Sequence, residues 1–259
     1  MQPTILVPLD GSARAEAILP AAVAMAQATH SSLSLLQVVV SESTTGIHGA
    51  SDRQWVDART PACAYLESVA ARVLQAGVPV DVEVLVGHAT TRIVQATRQD
   101  PRISLIAMAT HGRGGLPRAV FGSIAEEVLR SVAVPVLLVR DGQAAVPPLT
   151  AGCTILVPLD GSAFARQAVG TAQMLGRAFG ATLLLAAVVP PREPADPPQT
   201  APASSWRNEA QHRETGRLMF ELDKTARQLE AAGAPVRRQL LHGKPGEALV
   251  AQAGTAATA

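Results

Sequence analysis

The amino-acid sequence predicts an α/β fold: a doubly wound, open, parallel five-stranded sheet in the order 3-2-1-4-5, followed by a truncated second copy. Three observations predict it. Short apolar runs alternate with alanine-rich amphipathic stretches through the first 140 residues, the pattern of β-α-β units. The decapeptide TILVPLDGSA at 4–13 recurs unchanged at 154–163, an offset of 150 residues. APVRRQLLHGKPGEAL at 234–249 then matches VPVDVEVLVGHATTRI at 78–93 at an offset of 156.

Taken in order, TILVPLD (4–10) reads as a buried strand bounded by Gly11-Ser12. Ser12 suits the N-cap of one alanine-rich helix running to about Thr29. SLSLLQVVV (32–40) is the second strand, and a polar stretch with Gly46 and Gly49 leads into a helix from about Trp55 to Ala76. Gly77 and Pro79 stop that helix. VDVEVLV (80–86) alternates as a half-covered edge strand does, and Gly87 opens a short helix to about Gln99. ISLIAMA (103–109) is a fully apolar fourth strand; a glycine-rich loop, a helix from Ser123 to about Val132 and the strand VPVLLVR (134–140) complete the unit.

Residues 1–141 therefore read as one complete domain, 142–152 as a linker and 153–259 as a second domain. The second domain repeats strand, helix (Ser162 to about Phe179) and strand. A proline-rich loop at 190–205 follows, with six prolines in sixteen residues, and then a helix from about Trp206 to Ala232. That loop absorbs the change of offset from 150 to 156. An offset of 156 would put the counterpart of Ile103 at position 259, so this domain is expected to lack its last two strands and the loop between them.

Charge narrows the function classes. Lys plus Arg is 22 against 21 for Asp plus Glu, which argues against nucleic-acid or anionic-membrane partners. Apolar runs such as 133–139 are too short to span a bilayer and no secretory signal is visible, so a cytoplasmic location is expected. Cys63 and Cys153 share no metal-like spacing and read as small core residues.

The chemically loaded stretch is MATHGRGGLPRAVFGSIAEEVL, 108–129. Gly112, Gly114, Gly115 and Gly122 let backbone amides converge on an anion, and Gly122-Ser123 delivers it to a helix N-terminus. Ser123 with Glu126 also fits a capping box. Across the switch point of the predicted strand order lies Asp10, placed to accept from sugar or base donors or to cap the turn at Gly11-Ser12. HGKPGEAL (242–249) lacks Walker spacing and reads as a strand-to-helix turn.

These residues resemble the universal stress protein family: a strand ending Pro8-Leu9-Asp10, then a G-x2-G-x9-G-[S/T] loop matched by Gly112, Gly122 and Ser123, with Ala109 in place of the first glycine. The resemblance covers 1–140 and 154–258. It implies the five-stranded fold and ATP, with Mg2+, held at Pro8, Asp10, Val38, Ala109, His111, Gly112, Gly122, Ser123, Ile124 and Ala125. It also implies a homodimer through residues 134–140. Were the backbone at Ala109 at positive φ, its Cβ would cost about 1–2 kcal/mol. A loop offering His111, Arg113 and Arg118 but no aimed carboxylate predicts at most slow ATP hydrolysis. The second copy keeps Asp160 without a phosphate loop, and nucleotide binding is not expected there.

Overall fold

The computed structural model describes residues 2–39, 52–110, 122–140, 152–191 and 203–256, with 52–58 and 203–210 as backbone only. Gly46, Gly49, the linker through 151, the loop residues 111–121 and most of the proline-rich loop (192–202) lie outside the described residues. The chain divides into two compact units, Met1–Leu149 and Thr150–Ala259.

In the first unit β1 (Thr4–Leu9), β2 (Ser32–Val39), β3 (Val80–Val86), β4 (Ile103–Ala109) and β5 (Val136–Val139) form one parallel sheet in the order β3-β2-β1-β4-β5. Helices α1 (Ala13–Glu16), α2 (Leu19–Thr29), α3 (Asp52–Gln75), α4 (Ala89–Gln99) and α5 (Ser123–Ser131) make the crossovers. β1 and β4 are buried almost throughout because both sheet faces are covered, which is why their sequences are apolar without alternation. One core cluster holds Leu6, Leu36, Ile93, Ile106, Ala125 and Val128, so it seats α4 and α5 on one face.

The second unit carries β6 (Thr154–Pro158), α6 (Ala163–Phe179), β7 (Thr182–Val189), α7 (Ala203–Ala231), β8 (Val236–His242) and α8 (Pro245–Ala256). Its described strands form a parallel sheet in the order β6-β7-β8. Thr154↔Thr182 and Leu183↔Val236 reproduce Thr4↔Ser32 and Leu33↔Val80, so the repeat is structural as well as sequential.

One expected helix is divided. Residues 12–29 form α1 and α2 because Pro20 stands in the first turn of α2, where it lacks an N–H and its ring would crowd the carbonyl four residues back. The second copy has Gly170 at the equivalent position, and α6 runs unbroken. β5 is also shorter than VPVLLVR suggested, four residues from Val136.

Both copies end this helix in the left-handed region, at His30 (φ 53) and Gly180 (φ 57). Glycine carries no Cβ penalty there. His30→Gly is expected to stabilise the first unit by about 0.5–1 kcal/mol in chemical denaturation, the second copy supplying the precedent.

Candidate functional site

The site begins with a proline in a central strand. Thr4 donates its N–H to the Arg102 carbonyl on the β4 side, so with strand alternation residues 6 and 8 face β4 as well. Pro8 has no N–H to give. The β1–β4 ladder runs Thr4↔Ile103, Ile5↔Leu105, Leu6↔Ile106 and stops, whereas β4 continues against β5 as far as Ala109↔Val139. The two strands therefore lose their pairing at their carboxyl ends, where a crevice forms in folds of this order.

On the β1 bank Asp10 is half-buried and begins the turn into α1. Its Oδ1 accepts the Ser12 N–H (2.9 Å) and the Ser12 hydroxyl (2.6 Å), and the Ser12 Oγ in turn accepts the Ala15 N–H (3.2 Å). Gly11, at φ 82, permits that tight turn. One carboxylate oxygen is thus committed to shaping the turn.

On the β4 bank Ala109 is a buried strand residue paired with Val139, and it does not have positive φ. Alanine in place of glycine carries no backbone penalty there. Thr110 donates its N–H to the Val139 carbonyl, and its own carbonyl accepts the Gly122 N–H at 2.6 Å, pinning together the two ends of the loop. His111 and Gly112 lie outside the described residues.

The capping box suggested by Ser123 and Glu126 is absent. Gly122 is the N-cap, with no side-chain cap, and Ser123 is already the first helical residue. Glu126 instead accepts from Arg130 (2.7 Å). Ser12 and Ser162 cap their helices by accepting from Ala15 and Ala165, but among the described residues no acceptor meets the N–H groups of Ser123, Ile124 and Ala125. An uncapped helix start is a ready anion acceptor. Val38 lies one step beyond the last β1–β2 pair, Leu9↔Gln37, and its side chain packs on the α4–α5 core.

The model of the universal stress protein family matches residues 1–140 and 154–256. The chain belongs to the universal stress protein family. A curated relative, universal stress protein Slr1230 of Synechocystis sp. (strain ATCC 27184 / PCC 6803 / Kazusa), is 42% identical over 72 residues. That match spans 27% of this chain and 25% of the relative. Among solved structures, a universal stress protein of Archaeoglobus fulgidus DSM 4304 covers 97% of this chain and is itself covered over 81%, with TM-score 0.70 and 21% identity. Protein PA1789 of Pseudomonas aeruginosa PAO1 covers 99%, with 79% of its own length matched, TM-score 0.62 and 17% identity. These two likenesses establish the fold. Among the described residues no helix is long and apolar enough to cross a membrane, and no group of three or more His, Cys, Asp or Glu is placed to hold a metal ion.

In the second unit of this universal stress protein an arginine joins the aspartate turn. Asp160 accepts the Ser162 N–H at 2.8 Å, and hydrogen bonding from Ser162 holds its carboxyl below the usual range. Arg217 of α7 lies against Gly161, donates to the Asp160 carbonyl (3.1 Å) and pairs with Glu214 (2.7 Å). The corresponding position in α3 is Pro61.

Two polar groups in this universal stress protein escaped sequence reasoning. Gln37 is 8% exposed, and its Oε1 has no hydrogen-bond partner among the described residues. A glutamine inside SLSLLQVVV was the available signal. The Tyr65 hydroxyl is likewise buried, with no partner of hydrogen-bonding geometry among the described residues. Burial, then the Glu16 and Asp10 carboxylates, push its ionisation well above the ordinary 10.0. Glu16 itself pairs with Arg72 at 2.5 Å.

Tyr65 is the one tyrosine of the chain, so phenolate absorbance reads it directly. Because the folded value is raised, its contribution to stability is intact below the unfolded value and declines as pH rises above about 10. No ionisation step is expected near pH 10 in the folded protein; the phenolate signal should appear only with alkaline unfolding.

Proposed function

We propose that the first unit binds an adenine nucleotide, ATP carried with Mg2+, between Asp10 and the Ala109–Ser123 loop. It works as a nucleotide-dependent regulator in a stress response rather than as an efficient catalyst. The observation that carries this reading is the lost β1–β4 pairing, with an acidic turn on one bank and an uncapped helix start on the other. Asp10 suits ribose or base donors, the amides of Ser123, Ile124 and Ala125 suit phosphate, and the backbone beside Pro8 and Val38 suits the adenine. His111 and Gly112 belong to the same loop. Mg2+ would arrive on the phosphates, because it retains water and needs few protein oxygens.

Efficient hydrolysis finds little support. Glu126 pairs with Arg130, and Glu127 accepts the Thr90 hydroxyl at 2.7 Å, so both nearby carboxylates are engaged elsewhere. Slow hydrolysis remains compatible with the site. Calorimetric titration of Mg·ATP is expected to give micromolar binding, about −8 kcal/mol. Asp10→Ala should weaken it roughly tenfold to hundredfold, the range of a hydrogen bond to a charged group. Absence of saturable heat with the wild-type chain would refute the reading.

One observation favours a second reading, a nucleotide-free interaction module. The Asp10 turn is built as the Asp160 turn is, in a unit whose described residues include no phosphate loop, so an aspartate here needs no ligand to explain it. The same titration separates the two.

The reading extends to assembly. Among the described residues β5 is the outer strand of the sheet, and it is apolar, an edge that invites pairing. A homodimer through residues 134–140 is expected, with a dimer mass in light scattering at micromolar concentration; a monomer would contradict it.

A further inference from the structure

β3 and β8 hold the same place at the margin of their sheets, and only one of the two edges is guarded. Each pairs with the strand before it in the same register, Leu33↔Val80 and Leu183↔Val236. Among the described residues β3 is outermost in a sheet of five strands, so the repeat itself puts β8 at a margin. The Pro79 and Pro235 carbonyls accept from Leu33 (2.8 Å) and Leu183 (2.9 Å) of the neighbouring strand. By alternation the even-numbered residues of β3 and β8 direct their N–H and C=O groups outward. In β3 two of those carbonyls are covered: Val84 accepts from Arg59 Nη2 (3.2 Å) and Val86 from Arg92 Nε (2.8 Å). The counterparts of these arginines are Thr215 and Ala248. Among the described residues no side chain donates to the Leu240 or His242 carbonyl.

The side chains differ in the same direction. On one face β3 carries Asp81 and Glu83, both exposed, where β8 carries Arg237 and Gln239. On the other face of β8, Arg238 is held by Asp223 (3.3 Å) and Glu230 (4.0 Å) of α7, so its charge is matched within its own unit. Those two acids fix which side of α7 overlooks β8. At helical spacing Phe220 lies on the same stripe, and it is 66% exposed. The first unit has Ala64 at that position. An unguarded strand beside an exposed aromatic is a surface for strand addition.

We propose that the β8 edge pairs with the β8 edge of a second copy of this chain, antiparallel about a two-fold axis at Gln239. The outward residues then exchange hydrogen bonds, Val236 with His242 and Arg238 with Leu240, while Gln239 faces its own symmetry mate. No like charges stand opposite one another, because Arg237 faces Leu241. The α7 helices lie antiparallel on either side of the axis, each turning Phe220 toward the other. The same operation on β3 sets Glu83 against Glu83 with Asp81 nearby, beside carbonyls already taken by Arg59 and Arg92, so the first unit is closed to it. This surface is a different one from residues 134–140.

Hydrogen exchange of the full chain, concentrated and dilute, tests the pairing, with sedimentation velocity alongside. Concentration is expected to slow the Arg238 and Leu240 amides by about tenfold or more and to leave those of Val82 and Val84 unchanged. Gln239→Lys puts like charges at the axis between the two Arg237 side chains and should abolish the slowing; the residue is exposed, so the unit stays folded. An equimolar mixture of Gln239→Lys and Gln239→Glu should restore it, which a folding defect would not do. Absence of concentration-dependent slowing at Arg238 and Leu240 overturns the proposal, as does slowing that Gln239→Lys leaves untouched. A dimer mass without that slowing belongs to the 134–140 edge and equally refutes the β8 pairing.

Discussion

Ser123→Asp will raise the stability of the first unit and cost it nucleotide affinity. The two effects have opposite signs because they act on one feature, an uncapped α5 N-terminus. A carboxylate in the first turn interacts favourably with the helix dipole, worth about 0.3–1 kcal/mol. A phosphate in the same place would face that carboxylate. Two unit charges about 4 Å apart repel by roughly 4 kcal/mol at an effective dielectric near 20, and a third of that is already about tenfold in affinity. Denaturation and Mg·ATP titration of the same variant read both. A helix end that merely follows a loop would show the gain in stability alone.

Leu6→Ala and Leu156→Ala, one substitution in two copies of one strand, will differ in cost. Leu6 is 1% exposed in a core closed by β4, α4 and α5. Its truncation should cost about 2–5 kcal/mol. Leu156 is half-exposed on β6, the outer strand of its sheet among the described residues, and its truncation should cost roughly 1–2 kcal/mol. Trp55 and Trp206 fall in different units, so versions retaining one tryptophan each report the two unfolding transitions separately. Equal losses in the two units would contradict the structure.

The sheet was legible because its strands advertise themselves. ISLIAMA and TILVPL are apolar without alternation, as strands covered on both faces must be, and the repeat doubled every assignment in the first half of each unit. The break between α1 and α2 was harder. The alanine-rich pattern of 12–29 reads as one helix, but Pro20 in the first turn of α2 ends the preceding hydrogen-bonded run. The pairing of Ser123 with Glu126 fits a cap on spacing alone; the chain instead enters the helix one residue earlier, at Gly122, and Glu126 turns to Arg130. Spacing cannot tell which residue takes the cap dihedrals. The cost of Ala109 likewise hung on a dihedral, and its place inside β4 removes the penalty. Gln37, Tyr65 and Arg217 are tertiary facts: each matters through neighbours remote in sequence.

The whole reading rests on Asp10 and the α5 start serving one ligand, and amide-resolved NMR during a Mg·ATP titration tests that most directly. The prediction is that the amides of Gly11 and Ser12 and those of Ser123, Ile124 and Ala125 shift together, with one shared dissociation constant. Shifts confined to one group, or none at saturating nucleotide, would contradict it.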